Sequence, residues 1–188
     1  MGLREGTPAT ILRADYQPPN FCVSRVALEV SIFEGRTEVI AALTVERKTA
    51  EDAPLRLDGE QLALQWVEVD GQHLKDSQYE LSANQLVIRG LPDQCVLRTC
   101  VEICPEENTS LEGFYRSQSA YCTQCEAEGF RKITYYPDRP DVLAVYTVTL
   151  EADQKTCPVL LSNGNLIDEE RVAGGRHRAT WHDPFRSE

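Results

Sequence analysis

Four consecutive residues, Thr123-Gln124-Cys125-Glu126, offer a hydroxyl, an amide, a thiol and a carboxylate, and two kinds of chemistry fit them. Thr followed three residues later by Glu is the capping-box pattern, in which the Glu126 side chain reaches back to the amide of residue 123. That pattern predicts one short helix near residues 124-134, weakened by Gly129 and ended at Tyr135-Tyr136-Pro137. In the second reading Glu126 stays ionised at a strand-to-helix junction and projects toward a neighbouring surface. The Gln124 amide beside it supplies both donors and an acceptor. Such a pair can receive an ammonium group and a variable side chain. The local pattern leaves both readings open.

Cysteine spacing suggests a different chemistry. Cys100 and Cys104, with Cys122 and Cys125, resemble the two halves of a four-thiolate zinc site. If "CVLRTCVEIC" is a strand, however, Cys100 and Cys104 share a face but lie about 13 Å apart at about 3.3 Å per residue, too far to share an ion unless the strand breaks. Free thiols, buried or half-buried, are the competing reading. Seven cysteines without an export signal fit reduced thiols better than a disulfide framework. Of the three histidines, His73 follows a hairpin turn, and His177 and His182 fall on opposite faces of a strand. There is no His-Glu-x-x-His, no Gly-x-Ser-x-Gly elbow, no phosphate loop and no dinucleotide fingerprint. Cys125 could serve as a nucleophile only with a distant histidine that nothing in the pattern selects.

The elements that must position these residues read as strands. Val26, Leu28, Val30 and Ile32 alternate with Arg25, Glu29 and Ser31, and Val39, Ala41, Leu43 and Val45 repeat the period of two after a turn at Gly35-Arg36. Further turns are signalled at Asp70-Gly71, Asn163-Gly164 and Gly174-Gly175. "CVLRTCVEICP" and "VLAVYTVTL" are rich in β-branched residues. Strands recurring every 8 to 12 residues or so, with scarcely any helical stripe, predict a mostly β, antiparallel sandwich or open curved sheet. Residues 1-20, with Pro8, Pro18 and Pro19, read as an irregular arm, and 1-188 as a single domain.

Composition narrows the function. A net charge of -11 with scattered Lys and Arg leaves no surface for tracking phosphates, so no nucleic acid partner is expected. No apolar run is long enough to span a membrane, and the opening residues lack a secretory core. A cytoplasmic protein is the expectation.

The segments "NTSLEGFY", "YCTQCEAEGFRKITYYPDRPDVLAVY", "LLSNGN" and "WHDPF" resemble the N-terminal domain of the bacterial aminopeptidase N family of zinc metallopeptidases. The resemblance implies a saddle-like β domain packed against a separate, thermolysin-like catalytic domain of the same polypeptide. The Zn2+ and its ligands would lie in that other domain, leaving this chain with no metal ligand and no catalytic residue. Position by position, Glu126 matches a glutamate that binds the α-amino group of a peptide N-terminus, and Gln124 a glutamine of the first side-chain pocket. The cap-like turn would fix the Glu126 backbone while its carboxylate points into a cavity. The chain would then supply a substrate-binding wall without catalysing hydrolysis alone. Arg131, Asp138, Arg139 and Asp141 are expected to pin the loop, and Trp181 and Phe185 to bury against an interface or the core. The alternative from another class is a stand-alone β-sandwich interaction module with Cys100, Cys104, Cys122 and Cys125 on a structural zinc.

Overall fold

Alternating apolar residues set the two long neighbouring strands, β1 (Phe21–Phe33) and β2 (Arg36–Arg47), which pair antiparallel across the Gly35 turn. Gly35 sits at φ +75°, where a side chain would be strained. The computed structural model describes residues 12-49 and 52-187. Of the expected arm, residues 1-11 lie outside the described residues, and residues 12-20 carry one 3-10 turn at Arg13–Asp15.

The remaining strands follow the turn signals. They are β3 (Leu55–Asp58), β4 (Ala63–Val69), β5 (Gln72–His73), β6 (Tyr79–Leu81), β7 (Gln85–Ile88) and β8 (Gln94–Ile103). Next come β9 (Gly113–Ser117), β10 (Ala120–Gln124), β11 (Ala144–Asp153), β12 (Asn165–Val172) and β13 (Arg176–Ser187). Eight of them form one open sheet in the order β12-β13-β11-β1-β2-β8-β4-β5, while β3-β7-β6 and β10-β9 form smaller sheets. The mostly β, open-sheet expectation holds.

One pairing departs from it, because β1 and β11 run parallel, from Arg25 opposite Val145 to Ser31 opposite Glu151. Everything from Glu34 to Leu143 intervenes, which gives the chain ample length for the crossover that parallel strands require. Alternation in the sequence is the same for either direction of pairing.

The core forms where β2 is flanked on both sides. Val39, Ala41, Leu43 and Val45 are at most 1% exposed, and they share one apolar cluster with Leu55 and Leu57 of β3 and Leu86 and Ile88 of β7. The three-stranded sheet is thereby joined to the large one.

The short helix expected near 124-134 is reduced to the 3-10 turn Phe130–Lys132 and does not start at Thr123. Thr123 and Gln124 belong to β10, opposite Phe114 and Gly113 of β9, and the 3-10 turn has no side-chain cap. Cross-strand pairing wins because Tyr121 stacks on Phe114 at 5.6 Å, whereas no apolar stripe favours a helix. One half of such a cap occurs instead at Lys75, whose amide donates to Gln78 Oε1 at 2.9 Å. Trp181 packs against the core, but Phe185 is 78% exposed, so the expected burial in the core holds for Trp181 alone.

Candidate functional site

The β9–β10 hairpin delivers the quartet to the lining of a groove. Gln124 closes β10, and Cys125 to Gly129 then fold back sharply, with the Glu126–Ala127 peptide bond cis, into the 3-10 turn at Phe130. The reversal depends on Gly129. A Cβ there would stand 2.6 Å from the Gln124 carbonyl oxygen and 2.9 Å from Cys125 Cα, so the two limbs touch through backbone alone. Phe130 anchors the turn edge-on against Tyr136 at 4.9 Å and Tyr146 at 5.9 Å.

The return limb is held by charge. Arg131 Nε donates to Asp138 Oδ2 at 2.8 Å, its Nη2 donates to the Asp138 carbonyl at 3.0 Å, and its backbone amide donates to Asp138 Oδ2 at 3.2 Å. The Asp138 amide in turn donates to Asp58 Oδ2 at 3.2 Å, and residues 58 and 136 form a bridge between β3 and the loop. Burial is the largest influence on Asp58 and raises its pKa above the ordinary value. Arg139 makes a bidentate pair with Asp141, at 2.8 and 2.6 Å, which holds the Asp141 carboxyl below its ordinary range. Arg131 and Asp138 pin the loop, while Arg139 and Asp141 tie its far end to Gln17 and Tyr16.

Glu126 and Gln124 are both exposed and both line the groove, whose volume is about 1090 Å³ and whose floor includes Leu28, Val30, Tyr146, Val148 and Leu160. The Gln124 Nε2 donates to the Glu126 carbonyl at 3.4 Å. No hydrogen bond or ion pair among the described residues reaches the Glu126 carboxylate. It does not return to residue 123, so the capping-box role and the cap-like turn are both overturned. A strand end and a backward fold do the work that was assigned to a helix start.

The cysteines do not gather. Among the described residues no three His, Cys, Asp or Glu side chains stand close enough to hold an ion, so the four-cysteine zinc site of the alternative does not assemble. Cys100 is buried in β8 while Cys104, past its end, donates to the Gly35 carbonyl at 3.3 Å. Burial, with Asp138 adding to it, pushes the Cys125 thiol up to about 11, which makes it a poor nucleophile at neutral pH. Burial also raises Cys95 and Cys100 to about 11. His177 Nε2 is engaged with the Cys157 carbonyl at 2.7 Å, and His182 Nδ1 with Thr147 Oγ1 at 3.0 Å.

Residues 22-187 match the family described as the peptidase M1 N-terminal domain. The chain belongs to this family. Aminopeptidase N of Caulobacter vibrioides is 47% identical over 183 residues, 97% of this chain and 21% of that protein. Aminopeptidase N of Escherichia coli is 44% identical over 178 residues, 95% of this chain and 20% of that protein. Legionella pneumophila aminopeptidase A, solved in complex with aspartic acid, superposes with a TM-score of 0.87 at 33% identity, over 93% of this chain and 21% of that one. The M1 zinc metallopeptidase of Deinococcus radiodurans shares the fold, with a TM-score of 0.75 at 16% identity, over 89% of this chain and 40% of that one. This M1 N-terminal domain therefore spans about a fifth of the length of the curated relatives it matches.

A zinc ion of the kind those relatives imply finds no donor set among the described residues of the M1 N-terminal domain. The site's supporting residues were harder to read than its two polar side chains. The clearance at Gly129 depends on a backbone contact, and the reach of Arg131 to both limbs of the loop depends on where the chain turns. Neither leaves a signature beyond the residue type.

Proposed function

We propose that the chain is the substrate-binding N-terminal domain of a larger zinc aminopeptidase, which removes residues from the N-termini of peptides. In this reading Glu126 binds the substrate α-ammonium, Gln124 borders the first side-chain pocket, and the hydrolytic machinery lies in a catalytic domain of the same polypeptide. The observation that carries it is the exposed Glu126 carboxylate, unpartnered among the described residues, in the lining of the groove.

The chemistry explains why an exopeptidase uses an acid there. A peptide N-terminus, with a pKa of about 7.7 to 8.0, is mainly cationic at neutral pH, and an internal peptide bond carries no such charge. A fixed carboxylate thus selects chain ends and sets the distance to the first peptide bond. Gln124, neutral and able to donate and accept, contacts the variable side chain without imposing a charge preference.

The test is Glu126→Ala in the full-length polypeptide. Hydrolysis of aminoacyl anilides with a free α-amine should fall about 10- to 100-fold in kcat/KM, the worth of one hydrogen bond to a charged group. Unchanged kinetics would remove the reading.

A further inference from the structure

Of the three acidic side chains between Cys125 and Asp138, two are engaged by a single cation. Arg131 holds Asp138 through three hydrogen bonds, and its Nη2 also lies 3.2 Å from Glu128 Oε2 on the outgoing limb, two residues past Glu126. The two contacts differ in burial. The Arg131 and Asp138 side chains are 19% and 9% exposed, whereas Glu128 is 46% exposed. The guanidinium is therefore fixed first by the shielded pair, and the arginine backbone by the Glu60 amide, which donates to its carbonyl at 2.8 Å. The outer edge of the fork then faces two further carboxylates, Glu128 at 3.2 Å from Nη2 and Glu60 at 4.0 Å from Nη1.

We propose that Arg131 is a positioning residue for Glu126: anchored on Asp138, it holds the outgoing limb through Glu128. The proposal rests on the reading of Glu126 given above. Two features of the loop fit it. Gly129 lies against the Gln124 carbonyl and Cys125 Cα, so a shift of the Glu128 limb is passed directly to the residues flanking Glu126. Glu126 is also the one acidic side chain of the loop that has no partner among the described residues. A lysine at 131 would keep the charge but could not span both limbs, because it lacks the planar fork.

The experiment uses the full-length polypeptide with Arg131→Lys, Glu128→Gln and Glu126→Ala, alone and combined. Two competitive inhibitors are compared, an aminoacyl analogue with a free α-amine and its des-amino counterpart. Arg131→Lys should raise KM and the inhibition constant of the amine-bearing analogue about tenfold, and Glu128→Gln about two- to fivefold, as suits a half-exposed pair. Binding of the des-amino analogue should not change. In the Glu126→Ala background neither substitution should add more than about twofold, because their effect passes through a carboxylate no longer present. If Arg131→Lys does not fold, Glu128→Gln on its exposed side chain decides. Losses that add fully in the Glu126→Ala background, or that weaken both inhibitors alike, overturn the proposal. So does normal KM in Arg131→Lys and Glu128→Gln beside a defective Glu126→Ala, which would leave the role of Glu126 standing. A silent Glu126→Ala overturns that role and the proposal with it.

Discussion

Gly129 shows how little room the Glu126 loop has. A methyl group would press on two backbone groups, the Gln124 carbonyl and Cys125 Cα, at 2.6 and 2.9 Å, and backbone cannot swing aside as a flexible side chain can. Gly129→Ala should cost about 1 to 3 kcal/mol of stability, the usual range for overpacking, and should raise KM for free-amine substrates; denaturant titration and steady-state kinetics of the full-length polypeptide check both. A second single-residue prediction concerns acid. Glu151 accepts from Arg176 Nε and Arg178 Nη2, each at 2.7 Å. Burial pushes its carboxyl up, but the hydrogen bonds from the two arginines outweigh that and set it below the ordinary glutamate value. A folded pKa below the unfolded one means that the native state binds fewer protons in the window between them. This stabilisation is therefore complete above the ordinary glutamate range and disappears as pH falls through the folded value. Glu151→Gln should be less stable than the parent near pH 7, and the gap should shrink by about pH 4, as measured by chemical denaturation.

At the scale of elements, the site is the end of a hairpin that shares its groove with an extended strap. The strap runs from Cys157 to Leu161 along the groove without belonging to a strand, and β13 holds it from below. His177 engages the Cys157 carbonyl, and Trp181 Nε1 donates to the Leu160 carbonyl at 3.2 Å. Leu160 is buried while Val159 and Leu161 are 67% and 71% exposed, so the strap has one inward anchor between two outward apolar side chains. Trp181→Phe keeps most of the ring and removes the donor. It should cost about 0.5 to 1.5 kcal/mol and speed limited proteolysis at Val159 and Leu161, while leaving the far β4–β5 end of the sheet unchanged in hydrogen exchange. The strap was not legible beforehand, since "CPVLLSNGN" reads equally well as a strand. In the fold its carbonyls at Cys157 and Leu160 are taken by side chains of β13 and not by a neighbouring backbone.

For the whole molecule, the proposed division of labour predicts that the isolated chain hydrolyses no aminoacyl anilide even with added zinc. A zinc-dependent rate surviving repurification would contradict it. The family was legible because Gln124 and Glu126 sit in an unusual block of sequence, and the strands were legible because a half-buried sheet writes a period of two into any chain that forms it. The supposed helix start was misread because Thr-x-x-Glu is a local pattern, satisfied on paper by four residues but overridden in the fold by the pairing of Thr123 with Phe114 across the hairpin. Composition and alternation by themselves determined a mostly β protein. Only the tertiary structure decided that β1 and β11 run parallel, that the four cysteines stay apart, and that the Glu126 carboxylate is left without a partner among the described residues. Each of these depends on contacts between residues far apart in the chain, where strand direction and side-chain distance are set by packing that no local spacing encodes.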